Sequence, residues 1–260
     1  LALMDSASQS TQSTQPTPSL VSQSSPPRSD LYPTLRLAHI ENPNKLYAFP
    51  IVGILIKIII VIPIFLELIL LAIVSFFVTI ANSFFVLFTG QYWDTAYTLN
   101  LGLMRLMSKV AVFFYGLTDK YPGFSLDIDD ELLSLDMEKP ESPNRLFAIP
   151  LLGGLARVVL LIPYLIYTSV IESAANLGVV ISSFPVLFMG RYPESTYELA
   201  RDFTRVSQAT SAYLNGFSDS YPSFWISMNH KRVKIILIII GILLTVTSFF
   251  SDSDSTRSST

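Results

Sequence analysis

Cysteine is absent from the 260 residues, and histidine occurs only twice. This removes disulfides, thiolate metal sites and cysteine nucleophiles together. His39 and His230 stand alone, with no metal-ligand partner at useful spacing. Charge is scarce as well: Asp, Glu, Lys and Arg make up 14% of the chain, against about 25% in soluble domains. The net charge of −3 gives no basic footprint for nucleic acid. No Gly-rich phosphate loop, nucleophile elbow or His-Glu motif is present. The expectation is a chain with no enzymatic activity and no cofactor, beyond a bound phospholipid.

The apolar residues are concentrated in blocks. Residues 46–88 contain only Lys57 and Glu67 as charges, and residues 146–188 only Arg157 and Glu172. Residues 233–250 contain only Lys234. A membrane span needs about 20 apolar residues, so each long block reads as two helices and the last as one. The expected fold class is all-α integral membrane. It is a tandem repeat of a helical hairpin plus an amphipathic interfacial helix, with short surface β-strands and one extra C-terminal transmembrane helix.

A repeat at an offset of 100 organises the chain. Pro43-Asn44-Lys45-Leu46 returns as Pro143-Asn144-Arg145-Leu146, and FFVLFTGQYW at 84–93 returns as FPVLFMGRYP at 184–193. Gly53, Lys57 and Arg105 return as Gly153, Arg157 and Arg205. Gly116, Asp119 and Tyr121-Pro122 return as Gly216, Asp219 and Tyr221-Pro222. Conservative exchanges at charged places mark a tandem duplication.

The expected divisions follow. Residues 1–30 form a disordered Ser/Thr/Gln/Pro-rich N-terminus, 31–127 a first repeat unit and 128–142 an acidic linker. Residues 143–227 form a second unit, 228–250 a transmembrane helix and 251–260 a polar tail. Within a unit, Asn44 or Asn144 caps a helix that runs through Pro63 or Pro163 and reverses near 71–75 or 171–177. A second helix ends at Gly90 or Gly190, and a third covers 94–117 or 194–217. The third helix in the second unit places Tyr197, Ala200, Phe203, Val206, Tyr213 and Phe217 on one side. It is too polar to span, so it lies in the interface or packs on its hairpin. Alternation after Tyr32-Pro33, Tyr121-Pro122 and Tyr221-Pro222 suggests three short strands that pair on the membrane surface. The two units read as parallel rather than inverted.

At Leu-Phe-X-Gly-Arg-Tyr-Pro, followed by an Arg-bearing helix and a Ser-Asp-X-Tyr-Pro-X-Phe close, the chain resembles the bacterial domain of unknown function 4389. The carrying residues are Phe188, Gly190, Arg191, Tyr192, Pro193, Arg205, Ser218, Asp219, Tyr221, Pro222 and Phe224. The first unit matches at Phe88, Thr89, Gly90, Tyr92, Arg105, Thr118, Asp119, Lys120, Tyr121, Pro122 and Phe124, and departs at Gln91 and Trp93. The resemblance covers residues 31–227 and implies an architecture but no activity.

Lys57, Arg157, Arg105, Arg191 and Arg205 are the candidate lipid-headgroup or ion-pair residues. Arg191 is expected to meet Asp219 or Asp202. Tyr92, Tyr192, Tyr121 and Tyr221 suit an aromatic belt at the membrane surface. The acidic cluster from Asp127 to Glu141 lacks the glycine and ligand spacing of a calcium loop. Lys and Arg in the polar segments, and their absence from the hairpin tips, put the N-terminus and polar helices in the cytoplasm and the C-terminal tail outside, in a bacterial inner membrane. The function this supports is a non-catalytic polytopic scaffold or accessory subunit of a larger membrane complex. Its expected partners are membrane lipids, other membrane subunits or a second copy, and no nucleic acid. The alternative is lipid or small-solute binding or transport.

Overall fold

The computed structural model describes residues 33–37, 43–49, 51–127, 133–227 and 229–257. The expected N-terminal disordered tract lies outside them, as does His39. The described chain is mostly helical. Strand β1 (Thr34–Leu37) precedes helices α1 (Val52–Thr89) and α2 (Asp94–Phe114). Strand β2 (Leu133–Asp136), a 3-10 turn at Arg145–Ala148, and helices α3 (Leu152–Met189), α4 (Glu194–Leu214) and α5 (Lys231–Arg257) follow. The bounds of α1 and α3, and of α2 and α4, differ by 100 positions at both ends. Helices α1 and α3 are each long and apolar enough to cross a membrane.

The expected hairpin within each apolar block is not formed: α1 and α3 are continuous helices of 38 residues each. Nothing at 71–75 or 171–177 supplies the Gly or Pro that a tight reversal needs, so the backbone keeps its helical hydrogen bonds. The reversal comes instead at Gly90 and Gly190, whose φ values of 73° and 67° close the two helices in the left-handed region. Asn44 and Asn144 also act differently from expectation. Their side chains accept from Leu46 N–H (3.0 Å) and Leu146 N–H (2.9 Å), capping a short turn rather than the long helix. The long helix begins some eight residues later, after Ile51 and Leu151, both at positive φ (65° and 63°). Gly53 and Gly153 fit that bend because a Cβ there would collide with the carbonyl of Tyr47 or Phe147.

Three layers result. Helices α1 and α3, with α5 packed along α3, form the first. One buried stripe of α1 (Gly53, Lys57, Val61, Ile64, Leu68, Ser75, Asn82, Val86) faces α2, and its remaining circumference exposes large apolar side chains from Ile51 to Phe88. Helices α2 and α4 form the middle layer. Of the two places expected for α4, the structure shows the second: it packs along α3, and Tyr197, Ala200, Phe203, Val206, Tyr213 and Phe217 are all buried. The third layer is a two-stranded antiparallel ribbon in which Leu35 pairs with Leu135. The expected three-strand pairing is not formed. Residues 121–126 and 221–226 are not strands, and Gly123 at φ 66° breaks an extended path. The partner of β1 is Leu133-Ser134-Leu135-Asp136, whose side chains alternate buried and exposed. The acidic linker therefore contributes structure.

Candidate functional site

The repeated signature residues converge on a clasp that closes each half. Lys57 Nζ donates to the carbonyl of Phe114, the last residue of α2, at 3.2 Å. Arg157 donates to Tyr213 O (2.8 Å) and Ser218 O (2.9 Å) at the end of α4, and forms an ion pair with Asp219. Cations here satisfy orphan carbonyls and complement the helix dipole. Asp119 and Asp219 then accept from the backbone N–H of Asn44 (2.6 Å) and Asn144 (2.7 Å), tying the close of each half to its start. Burial pushes the Asp119 carboxyl above its ordinary range, against the Asn44 bond and the Lys57 charge. Lys57 and Arg157 are both buried and turned inward.

Each clasp is completed by the opposite half. Tyr92 O–H donates to Asn215 O (2.8 Å) and Tyr192 O–H to Tyr115 O (3.2 Å). A Cβ on Gly116 would touch Lys57 Nζ and the Tyr192 ring, and one on Gly216 would touch Arg157 and the Tyr92 ring. The Arg145 guanidinium lies against Gly90 and the Lys45 side chain near Gly190, so each meets the end of the other half's long helix. Two small cavities mark these junctions, of about 60 Å³ beside Arg157, Asn82 and Tyr92, and about 30 Å³ beside Lys57, Ser182 and Tyr192. The start of α1 therefore sits beside the end of α3, and the start of α3 beside the end of α1. The two long helices thus run antiparallel to each other. Tyr92 and Tyr192 are buried and so form no surface belt, and burial pushes both hydroxyls above the ordinary tyrosine range, leaving them protonated donors.

Arg105 and Arg205 hold the ribbon. Arg105 Nε donates to Leu135 O (3.1 Å), and Arg205 donates to Leu35 O (3.0 Å). The expected Arg191 pair is not made: Arg191 is exposed, Asp219 is held by Arg157, and Asp202 is surrounded by other cations. Arg201 (3.2 Å), Arg205 (3.7 Å) and Lys234 (3.8 Å) all approach the fully buried Asp202 carboxylate, and Ser227 N–H donates to it at 2.7 Å. Lys234 also meets Glu198 at 2.8 Å. This cluster was missed in the sequence. The available signal was Glu198, Arg201, Asp202 and Arg205 within two turns of a helix too polar for its apolar neighbours. Pro193 caps α4, its carbonyl accepting from Tyr197 N–H at 3.0 Å. Pro122 and Pro222 are buried, while Tyr121 and Tyr221 are exposed beside Phe124 and Phe224. Glu67 is half-buried and Glu172 exposed.

Among the described residues no group of His, Asp and Glu could hold a metal ion. A larger cavity of about 260 Å³ lies beside Lys109, Lys120, Tyr121 and Leu133. Lys109 there donates to Ser125 O at 2.9 Å and also to Asp127 O. The profile of a family described as Domain of unknown function (DUF4389) matches residues 153–226, one copy, which takes in nearly all of α3, all of α4, and Arg157 and Asp219 of the clasp but not Asn144. No curated protein and no solved structure matches the chain.

Proposed function

We propose that the chain is a duplicated, membrane-embedded, non-catalytic scaffold or accessory subunit of a larger membrane complex. One observation carries this reading. Four of the five candidate cations (Lys57, Arg157, Arg105, Arg205) are used on backbone carbonyls or carboxylates of the chain itself, while Arg191 is exposed. The surface offered outward is the apolar face of α1, α3 and α5. Such a face demands lipid or protein around it. The distribution of Lys and Arg supports a bacterial inner membrane with the polar layers toward the cytoplasm. Purification of the tagged protein in mild detergent, with sizing and mass spectrometry, tests the reading. Companions at fixed stoichiometry, or a defined self-assembly, are expected. A lone monomer carrying lipid would replace it with lipid or small-solute binding, a second reading favoured by the 260 Å³ cavity and its lining of Leu37, Val112 and Leu133 beside two lysines.

A further inference from the structure

We infer that α1 and α3 lie in the plane of the membrane rather than across it. The chain immerses one apolar face in a single leaflet, and both ends of each long helix stay on the same side. The inference rests on the membrane residence proposed above, and two independent observations carry it.

The first is length. At 1.5 Å per residue each 38-residue helix is about 57 Å long, and the hydrocarbon core is about 30 Å thick. Tilt within the usual range, up to about 40°, still leaves about 44 Å of helix along the membrane normal. The surplus would be apolar, because exposure runs to both ends. Ile51 and Phe88 are 72% and 79% exposed, and Leu151 and Phe188 are 68% and 82% exposed. In the plane, a helix about 10 Å across fits within one leaflet of about 15 Å, and every one of these side chains meets lipid.

The second is the path of the chain between the halves. Residue 119 sits at the start of α1, bonded to Asn44, and Arg145 sits at the end of α1, against Gly90. The described residues between them, 120–127 and 133–144, lie along α2. Arg105 reaches Leu135 O, Tyr97 O–H donates to Met137 O, and Asp94 meets Lys139. This stretch exposes Ser134, Asp136, Glu138 and Glu141, and neither strand touches α1 or α3. If α1 crossed the bilayer, an acidic ribbon with open edges would lie at hydrocarbon depth, which the bilayer does not tolerate. Laid flat, the same ribbon faces water on the far side of α2 and α4. Glu172 is exposed on α3 between the buried Ile171 and Ala175, at the flank of that helix's buried stripe. Helix α5 follows α3, with Gly241 against Val170 and Ala174 and Leu237 against Gly178. It too lies flat, in place of the fifth crossing expected from sequence.

The cysteine-free chain allows a direct test. Lys45→Cys and Arg191→Cys mark one end of the molecule, and Gln91→Cys and Arg145→Cys the other, all at exposed positions. Each variant is probed with a membrane-impermeant maleimide in sealed right-side-out and inverted vesicles. All four are expected to react in the same vesicle orientation. Reaction of the first pair in one orientation and the second pair in the other overturns the inference. Nitroxides at Ile59, Leu66 and Ile73, on one exposed face of α1, give a second readout. Uniform depth is expected, and a depth that passes through the bilayer centre overturns it. Alkaline carbonate extraction separates the two readings. A chain released into solution overturns membrane residence as well, whereas a retained chain with split labelling overturns only the in-plane arrangement.

Discussion

Helices α2 and α4 occupy equivalent places in the two halves, yet their interiors differ. Where α4 has Glu198, Arg201 and Asp202, α2 has Thr98, Leu101 and Gly102. Leu101 packs in the apolar core, and Leu126 fills the space beside Gly102. The charged cluster exists in the half that α5 covers, and Lys234 of α5 is its counter-ion. The outer helices follow the same division. Helix α3 offers Ser173, Ala174 and Gly178 to α5, and Ser173 and Thr245 share a hydrogen bond at 3.2 Å. At the matching places α1 has Ile73, Val74 and Val78, and Ile73 and Val74 remain exposed. A clasp of the same form thus holds each half together, and the residues in which the second half differs seat α5.

Removing the centre of that divergent cluster has the largest expected effect. Asp202→Leu leaves Arg201, Arg205 and Lys234 packed around a lost carboxylate, and an uncompensated buried charge costs about 3–5 kcal/mol. The thermal midpoint in detergent should fall steeply, and unchanged stability would show that the cluster is solvated. Next comes the clasp, where the halves share geometry but not strength. Arg157→Met loses two carbonyl bonds and an ion pair, about 3 kcal/mol. Lys57→Met loses one bond, about 1 kcal/mol. Equal losses in the same assay would erase the distinction drawn between the two clasps. Gly53→Ala and Gly153→Ala should each cost about 1–3 kcal/mol by overpacking against the turn carbonyl, with near-equal values in both halves. A clear inequality would mean that the two bends differ.

The smallest effect is the pH response of Glu198. Burial pushes its carboxyl up, but hydrogen bonds from Asn229 and Lys234 and the charges of Lys234 and Arg201 outweigh it and hold it below the ordinary glutamate range. A depressed carboxyl contributes stability that is present above the unfolded value and lost as pH falls through the folded one. Thermal midpoints should therefore drop on acidification below the ordinary glutamate range, and Glu198→Gln should flatten that drop. Thr98 occupies the matching place in the first half and supplies no such term.

Legibility in the sequence followed local chemistry. Gly90 and Gly190 announced helix ends because the left-handed conformation has few other occupants, and Pro63 and Pro163 lie inside helices as read. The apolar blocks were read as two spans each because a length of about 57 Å suggests two crossings when every apolar helix is assumed to cross. The strand partner of β1 was misplaced because Tyr-Pro recurs conspicuously, while Leu133-Ser134-Leu135 is a short alternation inside an acidic stretch. Tyr92 and Tyr192 were assigned to a surface because a repeated motif carries no information on whether it closes on its own copy or on the other. Lys234 stood out only as the one charge of an apolar block, since its acidic partners lie 36 and 32 positions earlier on another helix.

The exchange of Tyr92 and Tyr192 between halves has a consequence during synthesis. When α1 and α2 leave the ribosome, the side chain that reaches Tyr115 and the carbonyl that receives Tyr92 are still about 100 residues away. At about 5–20 residues per second the first half waits about 5–20 s for its complement. The large apolar side chains of α1 that stay exposed in the complete structure are all made before that complement arrives. On the membrane reading proposed above, lipid rather than the second half is what meets that face first.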